Sequence, residues 1–375
     1  MREYTSIVQE LCGIAAAPKQ QLERALASGK KAVGVMPYFA PEELVYAAGA
    51  LPVGLWGADM QCSESRRYFP AFICSILHST LEMGISGQLD GLSAIMIPIS
   101  CDSLKGMGAN WHYAVPQVPI INVAFAENRK IAAGVEFTLS QFKKIRTQLE
   151  EILGAEISDA AIASAIAVYN ENRAALREFT RIVGEKPGLL SASERSGVIK
   201  AGYFMDRAEH TALVRELNAA LSVAEAPEFR GVKVVLSGIM ADCRGLLEVF
   251  DKNRLAVVAD QLAYESVNFA DDTPVTDDPI RGMAERLGSI EGASVLYDLG
   301  KRRCTQLAET AQASGADGVI FVLTKFCDPE EYDFVPLKRT LEKAGIPLLQ
   351  IEIDRQMDSY GQISSAVEAF CETLA

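Results

Sequence analysis

A chain of 375 residues, 49% of them hydrophobic, can bury two or three cores without covalent staples. Its net charge of −13, with no run of Lys or Arg, argues against broad nucleic-acid binding, which needs a basic face to neutralise phosphates. Eight cysteines with no CxxC pair are too few for a disulfide scaffold, so reduced thiols in a cytoplasmic protein are expected.

The N-terminus, MREYTSIVQELCGIAAAPKQ, carries charges throughout and reads as an amphipathic helix over residues 4–28 rather than a signal peptide. No apolar run in the chain approaches membrane-spanning length. KKAVGVM then reads as a strand, Pro41-Glu42-Glu43 opens a helix, and LPVGLW returns as a strand. A helix opened by Pro70 is expected over residues 70–85, followed by the strand SAIMIPI, a helix over 103–114 and the strand VPIINVAF. Short continuous apolar strands alternating with helices indicate a parallel sheet covered on both faces.

From 129 to about 225 the composition turns to Ala, Glu, Leu and Arg, predicting helices broken at Gly154, at Lys186-Pro187-Gly188 and near Asp206. A second alternating unit follows: the strand VKVVLSGIM, a helix over 243–252, the strand LAVVAD, an acidic loop, helices, the strand GVIFVLT, a helix opened by Asp328-Pro329, the strand IPLLQIEI and a closing helix. The two halves match in order, LSAIMIPISCDS against GVIFVLTKFCDP and VPIINV against IPLLQIEI, so a duplicated, doubly wound α/β unit is expected. The expected divisions are residues 1–128 (N-terminal helix and first α/β domain), 129–228 (helical connector) and 229–375 (second α/β domain).

The duplication puts two Cys-Asp pairs, Cys101-Asp102 and Cys327-Asp328, at matching strand-to-helix junctions. Ligands of open α/β sheets bind beyond the carboxyl ends of the strands, where both cysteines fall. Asp328 is expected as N-cap with Pro329 at the first helical position, and the unpaired N–H groups of the helix start would stabilise a thiolate. Taken singly, a cysteine at a strand end is a small buried hydrophobe and DPEE is an ordinary helix start. The paired placement brings a metal site into contention.

Cys74, expected about one turn into the helix opened by Pro70, can face the same cleft, with His78 four residues on along that helix. Two metal readings follow: three thiolates around an iron-sulfur cubane with one open iron, or Cys74, His78, Cys101 and Cys327 around a structural zinc. Spacing leaves both open, and a histidine on an apolar face is commonly a packing residue. Three histidines, His78, His112 and His210, are few for imidazole chemistry in a chain this long. Cys12, Cys304 and Cys371 fall in helices as packing residues, while Cys62 and Cys243 are minor candidates as extra ligands. No GxGxxG follows a strand and no GxxxxGK[ST] occurs, so neither a dinucleotide fingerprint nor a P-loop is present.

The combination of KKAVGVMPYFAPEELVYAAGALPVGLWG, FPAFICSIL, ISCDSL, AVYNENRAALREF and KFCDPEEYDF resembles the β subunits of (R)-2-hydroxyacyl-CoA dehydratases, within the wider family that includes benzoyl-CoA reductase. The resemblance runs from about residue 30 to the last helix. It implies two Rossmann-like domains joined by a helical region and a [4Fe-4S] cluster between them, with Cys74, Cys101 and Cys327 matching the three ligand positions. It also implies a lyase that takes (R)-2-hydroxyacyl-CoA to (E)-2-enoyl-CoA through a ketyl radical. An α subunit would hold most of the acyl-CoA site, and an ATP-dependent iron-sulfur activator protein would supply the first electron. In this family the substrate-binding cluster lies in the α subunit, so a cluster here is expected to relay the electron. No motif requires a flavin or excludes one, and no side chain stands out as acid or base. Two alternatives stay open at this stage: a reductase-type or double-cubane relative using Cys62 or Cys243, and a zinc-stabilised or metal-free α/β binding protein.

Overall fold

The computed structural model describes residues 2–374. Two helices, α1 (Tyr4–Ala16) and α2 (Pro18–Ala27), stand where one was expected. Pro18 occupies the first turn of α2, where its missing N–H costs nothing, and the chain breaks at Ala17. The first α/β unit then runs β1 (Ala32–Val35), α3 (Glu42–Ala47), β2 (Leu51–Gly54), a 3-10 turn at Ser65–Arg67, α4 (Ser75–Ile85), β3 (Ala94–Pro98), α5 (Asp102–Ala114) and β4 (Ile120–Val123). Four helices make the connector: α6 (Ala132–Leu153), α7 (Asp159–Glu185), α8 (Ala192–Ala201) and α9 (Arg207–Val223). The second unit runs β5 (Val232–Gly238), α10 (Arg244–Lys252), β6 (Leu255–Leu262), α11 (Ser266–Phe269), α12 (Pro279–Ser289), α13 (Arg302–Ala313), β7 (Gly318–Thr324), α14 (Asp328–Lys343), β8 (Leu348–Ile353) and α15 (Gly361–Leu374).

Both sheets are four-stranded and wholly parallel, in the orders β2-β1-β3-β4 and β6-β5-β7-β8. The second order is the first shifted by four strands, so the duplication read from the sequence extends to topology. The central strands β1, β3 and β7 are buried at every residue, as strands covered on both faces must be. One apolar cluster spans the two sheets, with Ile95, Val257 and Ile320 from their strands and Phe142 and Leu149 from α6 among its members. Helix α1 packs elsewhere, in a second cluster with α7, α8 and α9 built on Ile7, Leu11, Phe179, Val198 and Leu217.

The connector's helix ends follow local chemistry. Gly154 closes α6 in the left-handed region (φ 59°), which glycine enters without penalty, and Ser158, Ser191 and Asp206 cap α7, α8 and α9 with their side-chain oxygens. His210 is held within this bundle: Asn172 Nδ2 donates to Nδ1 (2.9 Å) and Nε2 bonds the Val198 carbonyl (2.9 Å). Burial pushes its pKa down to about 4, so it packs as a neutral ring. No helix among the described residues is long and apolar enough to cross a membrane.

Candidate metal centre

In each sheet the chain leaves the first strand for one side and later returns to the other, so the topological switch points lie between β1 and β3 and between β5 and β7. Ligands of doubly wound sheets bind beyond the strand ends at such points. At the first, Tyr38 follows β1 and Cys101 follows β3. Their counterparts at the second are Asp242, after β5, and Cys327, after β7.

Cys74, Cys101 and Cys327 are the N-cap residues of α4, α5 and α14. This corrects two expectations. Pro70 does not open a helix; it opens a turn closed by Ile73 N–H to the Pro70 carbonyl (3.1 Å), and α4 starts only after Cys74, whose backbone is extended. Asp328 is likewise the first residue of α14 rather than its cap, with Glu330 and Glu331 N–H both bonding the Cys327 carbonyl (3.0 and 3.1 Å). Each correction moves a thiol closer to the unpaired N–H groups of a helix start, because a cap's side chain lies beside them.

All three cysteines are partly buried and pack against the cluster that spans both sheets. Burial pushes the Cys74 thiol up to about 12, with the nearby Cys101 adding to the rise and the Ile76 and Leu77 N–H groups opposing it. Cys101 is raised by burial and by Asp102 and Asp328, the latter from the second domain, against the pull of the Leu104 and Ser103 N–H groups. Cys327 is raised by burial, then by Glu330, Cys74 and Cys101. Three thiols from two domains therefore share one neighbourhood, and they oppose each other's ionisation unless a cation compensates.

Among the described residues, no three His, Cys, Asp or Glu side chains converge as the ligands of a single ion would. A cubane asks for a wider arrangement, because each thiolate binds a different iron at a separate corner. The surroundings fit such a group. Tyr38 Oη, Ser100 Oγ and Thr324 Oγ1 are buried without a hydrogen-bond partner among the described residues. Ser100 precedes Cys101, and the Thr324 carbonyl accepts from Cys327 N–H (2.9 Å). Buried hydroxyls usually find partners, so several orphans beside three thiols mark a place where polar atoms are owed.

His78 is not free to complete a tetrahedron. Its Nδ1 bonds Ser65 Oγ (3.2 Å), its Nε2 bonds the Pro70 carbonyl (3.3 Å), and it is 3% exposed, so it braces the turn before Cys74. Burial lowers its pKa, as for a neutral packing ring. Neither minor candidate has one of the three thiols among the groups that act on it most strongly. Cys62 neighbours Glu82, Ser65 and Arg66, and Cys243 caps α10 beside Arg355, Asp242 and Asp59. Cys12, Cys304 and Cys371 lie within α1, α13 and α15 as packing residues.

Two buried networks position the thiols. Arg355, just after β8, pairs with Asp242 and with Asp59 (3.0 Å), donates its backbone N–H to Ser75 Oγ (2.9 Å), and accepts at its carbonyl from Met60 N–H (3.1 Å). Asp242 also pairs with Lys200 (2.8 Å) and accepts from Trp56 Nε1 (3.0 Å), so it links the second sheet, the connector and the loop after β2. The second network fixes the start of α14: Glu330, fully buried, accepts from Arg303 (2.8 Å) and Ser294 Oγ (2.6 Å), while Arg303 reaches Asp333 (3.3 Å) and Ser237 Oγ (3.2 Å). Glu330 is thus an ion-pair residue rather than a simple contributor to the helix start. Asp102, by contrast, is exposed and pairs only with Lys105 (3.1 Å).

Sequence reasoning missed Tyr38, Asp242, Arg355 and Arg303. For Tyr38 a usable signal existed: it occupies the strand-to-helix loop of the unit whose second copy carries Asp242-Cys243. The arginines gave none, because their partners stand far away along the chain.

Comparison with known proteins bears on this geometry. Residues 37–374 match the model of a family described as 2-hydroxyglutaryl-CoA dehydratase, D-component. The chain is 44% identical over 347 residues, 92% of each chain, to the (R)-phenyllactyl-CoA dehydratase beta subunit of Clostridium sporogenes. It is 40% identical, over 99% of each chain, to subunit beta of the (R)-2-hydroxyglutaryl-CoA dehydratase of Acidaminococcus fermentans. To the lactoyl-CoA dehydratase subunit beta of Anaerotignum propionicum it is 37% identical over the full length of both.

Proposed function

The chain belongs to the 2-hydroxyglutaryl-CoA dehydratase, D-component family, and from that premise we propose that it is the β subunit of a cytoplasmic (R)-2-hydroxyacyl-CoA dehydratase, a carbon-oxygen lyase forming (E)-2-enoyl-CoA. Cys74, Cys101 and Cys327 hold a [4Fe-4S] cluster in this reading, each binding one iron. The observation that carries it is that three helix-capping thiols come from both domains, Cys101 and Cys327 at matched switch points and Cys74 at the start of α4, beside unpartnered hydroxyls.

A cubane of this kind supplies one-electron transfer. The chain's own residues do the rest. Helix starts at α4, α5 and α14 turn their N–H groups toward the thiolates and offset their charge. Arg355 and Asp242 tie the second domain to the first through Asp59, Ser75 and Trp56, and the Arg303–Glu330 pair fixes the start of α14 after Cys327. Apolar residues such as Leu104 and Ile76, close behind the cysteines, limit water at the site. The proposed electron path runs from an ATP-dependent iron-sulfur activator protein through this subunit to an α subunit that holds the acyl-CoA. Three relatives whose names carry three different acyl groups align over nearly their whole lengths, which supports placing the choice of acyl group in the partner.

The test is reconstitution under anaerobic conditions. A mixture of this chain, its α partner, the activator and ATP is expected to convert an (R)-2-hydroxyacyl-CoA to the enoyl-CoA, while omission of any one protein abolishes turnover. Full-rate dehydration by this chain alone would contradict the assignment.

A further inference from the structure

Tyr38 is 3% exposed, and its hydroxyl has no hydrogen-bond partner among the described residues. A phenol buried in this way normally bonds something, because an unpaired buried donor forfeits its hydration without compensation. Arg355, Asp242, Cys74 and Cys327 lie near enough to act on its charge. Arg355 and Asp242 pair with each other, and the Arg355 Nε, also without a hydrogen-bond partner among the described residues, can only donate, so it offers the phenol's proton no acceptor. The two thiols come from the two different domains, and Tyr38 itself follows β1 at the switch point of the first sheet.

The backbone holds it there at a cost. The next residue, Phe39, is buried and sits in the left-handed region (φ 73°), which bulky side chains rarely adopt. Such strain persists where the surroundings over-determine a conformation, and it collects at functional sites. Phe326, immediately before Cys327, shows the same departure (φ 64°). Strained aromatics therefore flank both the hydroxyl and one of the thiols.

We propose that the Tyr38 hydroxyl donates a hydrogen bond to a sulfur of the group held by Cys74, Cys101 and Cys327, and thereby raises its reduction potential. The proposal rests on the cluster reading above. Reduction adds negative charge to the sulfurs, so a donor aimed at them stabilises the reduced form more than the oxidised one. Burial keeps the phenol protonated well above its usual range, so it remains a donor at neutral pH.

The experiment compares the purified anaerobic chain with its Tyr38→Phe variant. Iron and sulfide are measured first: a wild-type chain without them removes the cluster reading itself, before the role of Tyr38 is asked about. With the cluster present in both, a redox titration followed by electron paramagnetic resonance is expected to show a lower potential in the variant. A tenfold shift in the reduced-to-oxidised ratio at fixed potential corresponds to about 59 mV for one electron. The hyperfine signal of a deuterium-exchangeable proton near the cluster should also vanish. An unchanged potential with an unchanged proton signal overturns the proposal. A second measurement uses the metal-free chains: if the hydroxyl has no partner within the protein, Tyr38→Phe leaves the melting temperature unchanged or raises it, and a fall overturns the proposal as well.

Discussion

Replacing Arg303 by methionine is expected to destabilise the chain by about 3–5 kcal/mol, the usual cost of removing one partner from a buried ion pair. Arg303 is 2% exposed, and its guanidinium serves two carboxylates in the first turns of α14, Glu330 and Asp333. Lys301 still reaches Asp333 in the variant, but Glu330 keeps only the Ser294 hydroxyl. The uncompensated charge sits three residues after Cys327, so α14 is expected to shift at its start and iron content to fall along with stability. The denaturant midpoint of the metal-free chain reads the first effect and anaerobic iron analysis the second. The double variant Arg303→Met, Glu330→Met should recover much of the loss, since an apolar pair leaves no buried charge. No recovery would mean that Arg303 acts through packing instead.

The second large effect is expected at Asp242. Burial alone would raise its carboxyl, but Arg355 and Lys200, with the Trp56 indole N–H, more than offset this and hold it well below the usual carboxylate range. Asp242→Asn leaves Arg355 with only the partly exposed Asp59, again at a cost of about 3–5 kcal/mol. The sign of the pH dependence follows from the lowered carboxyl. Between the two pKa values the unfolded chain binds the proton that the native chain refuses. The stabilisation is therefore complete above the unfolded value of about 3.9 and fades as pH falls below it. Wild type should thus exceed Asp242→Asn by its full margin at pH 7 and by progressively less below pH 4. A margin independent of pH down to the acid transition would contradict this account. Because Asp242 and Arg355 link the domains beside Ser75, the variant should also retain less iron.

The two sheets were legible in the sequence because β1, β3 and β7 are short apolar runs, GVIFVLT most plainly, while β5, which carries Lys233 and Ser237, was placed by the repeat. The connector was legible from its punctuation, since Gly154 and Asp206 end and begin helices for local reasons. Local reasoning failed at the helix starts that matter most. Pro70 and Asp328 carry the usual chemistry of a helix opening, yet cysteine caps α4 and α14 without a side-chain bond to the backbone. Capping propensity is overridden there, as expected where a residue is placed for something other than helix stability. Cys101 and Cys327 could be chosen from placement in the repeat, and Cys74 from a helix expected at the same cleft, with the family resemblance naming all three. Asp242, Arg355 and Arg303 could not, because each acts through partners brought close only by the folded packing, whereas Tyr38 stands in the repeat opposite Asp242 and was overlooked.

The measurement that bears most directly on the three-thiol centre is anaerobic analysis of iron, acid-labile sulfide and zinc in the purified chain and in Cys74→Ala, Cys101→Ala and Cys327→Ala, with Cys243→Ala as control. The account predicts about four irons and four sulfides per wild-type chain. It further predicts their loss or conversion in each of the three variants and their retention in the control. Zinc in place of iron, or iron that survives Cys327→Ala unchanged, would contradict it.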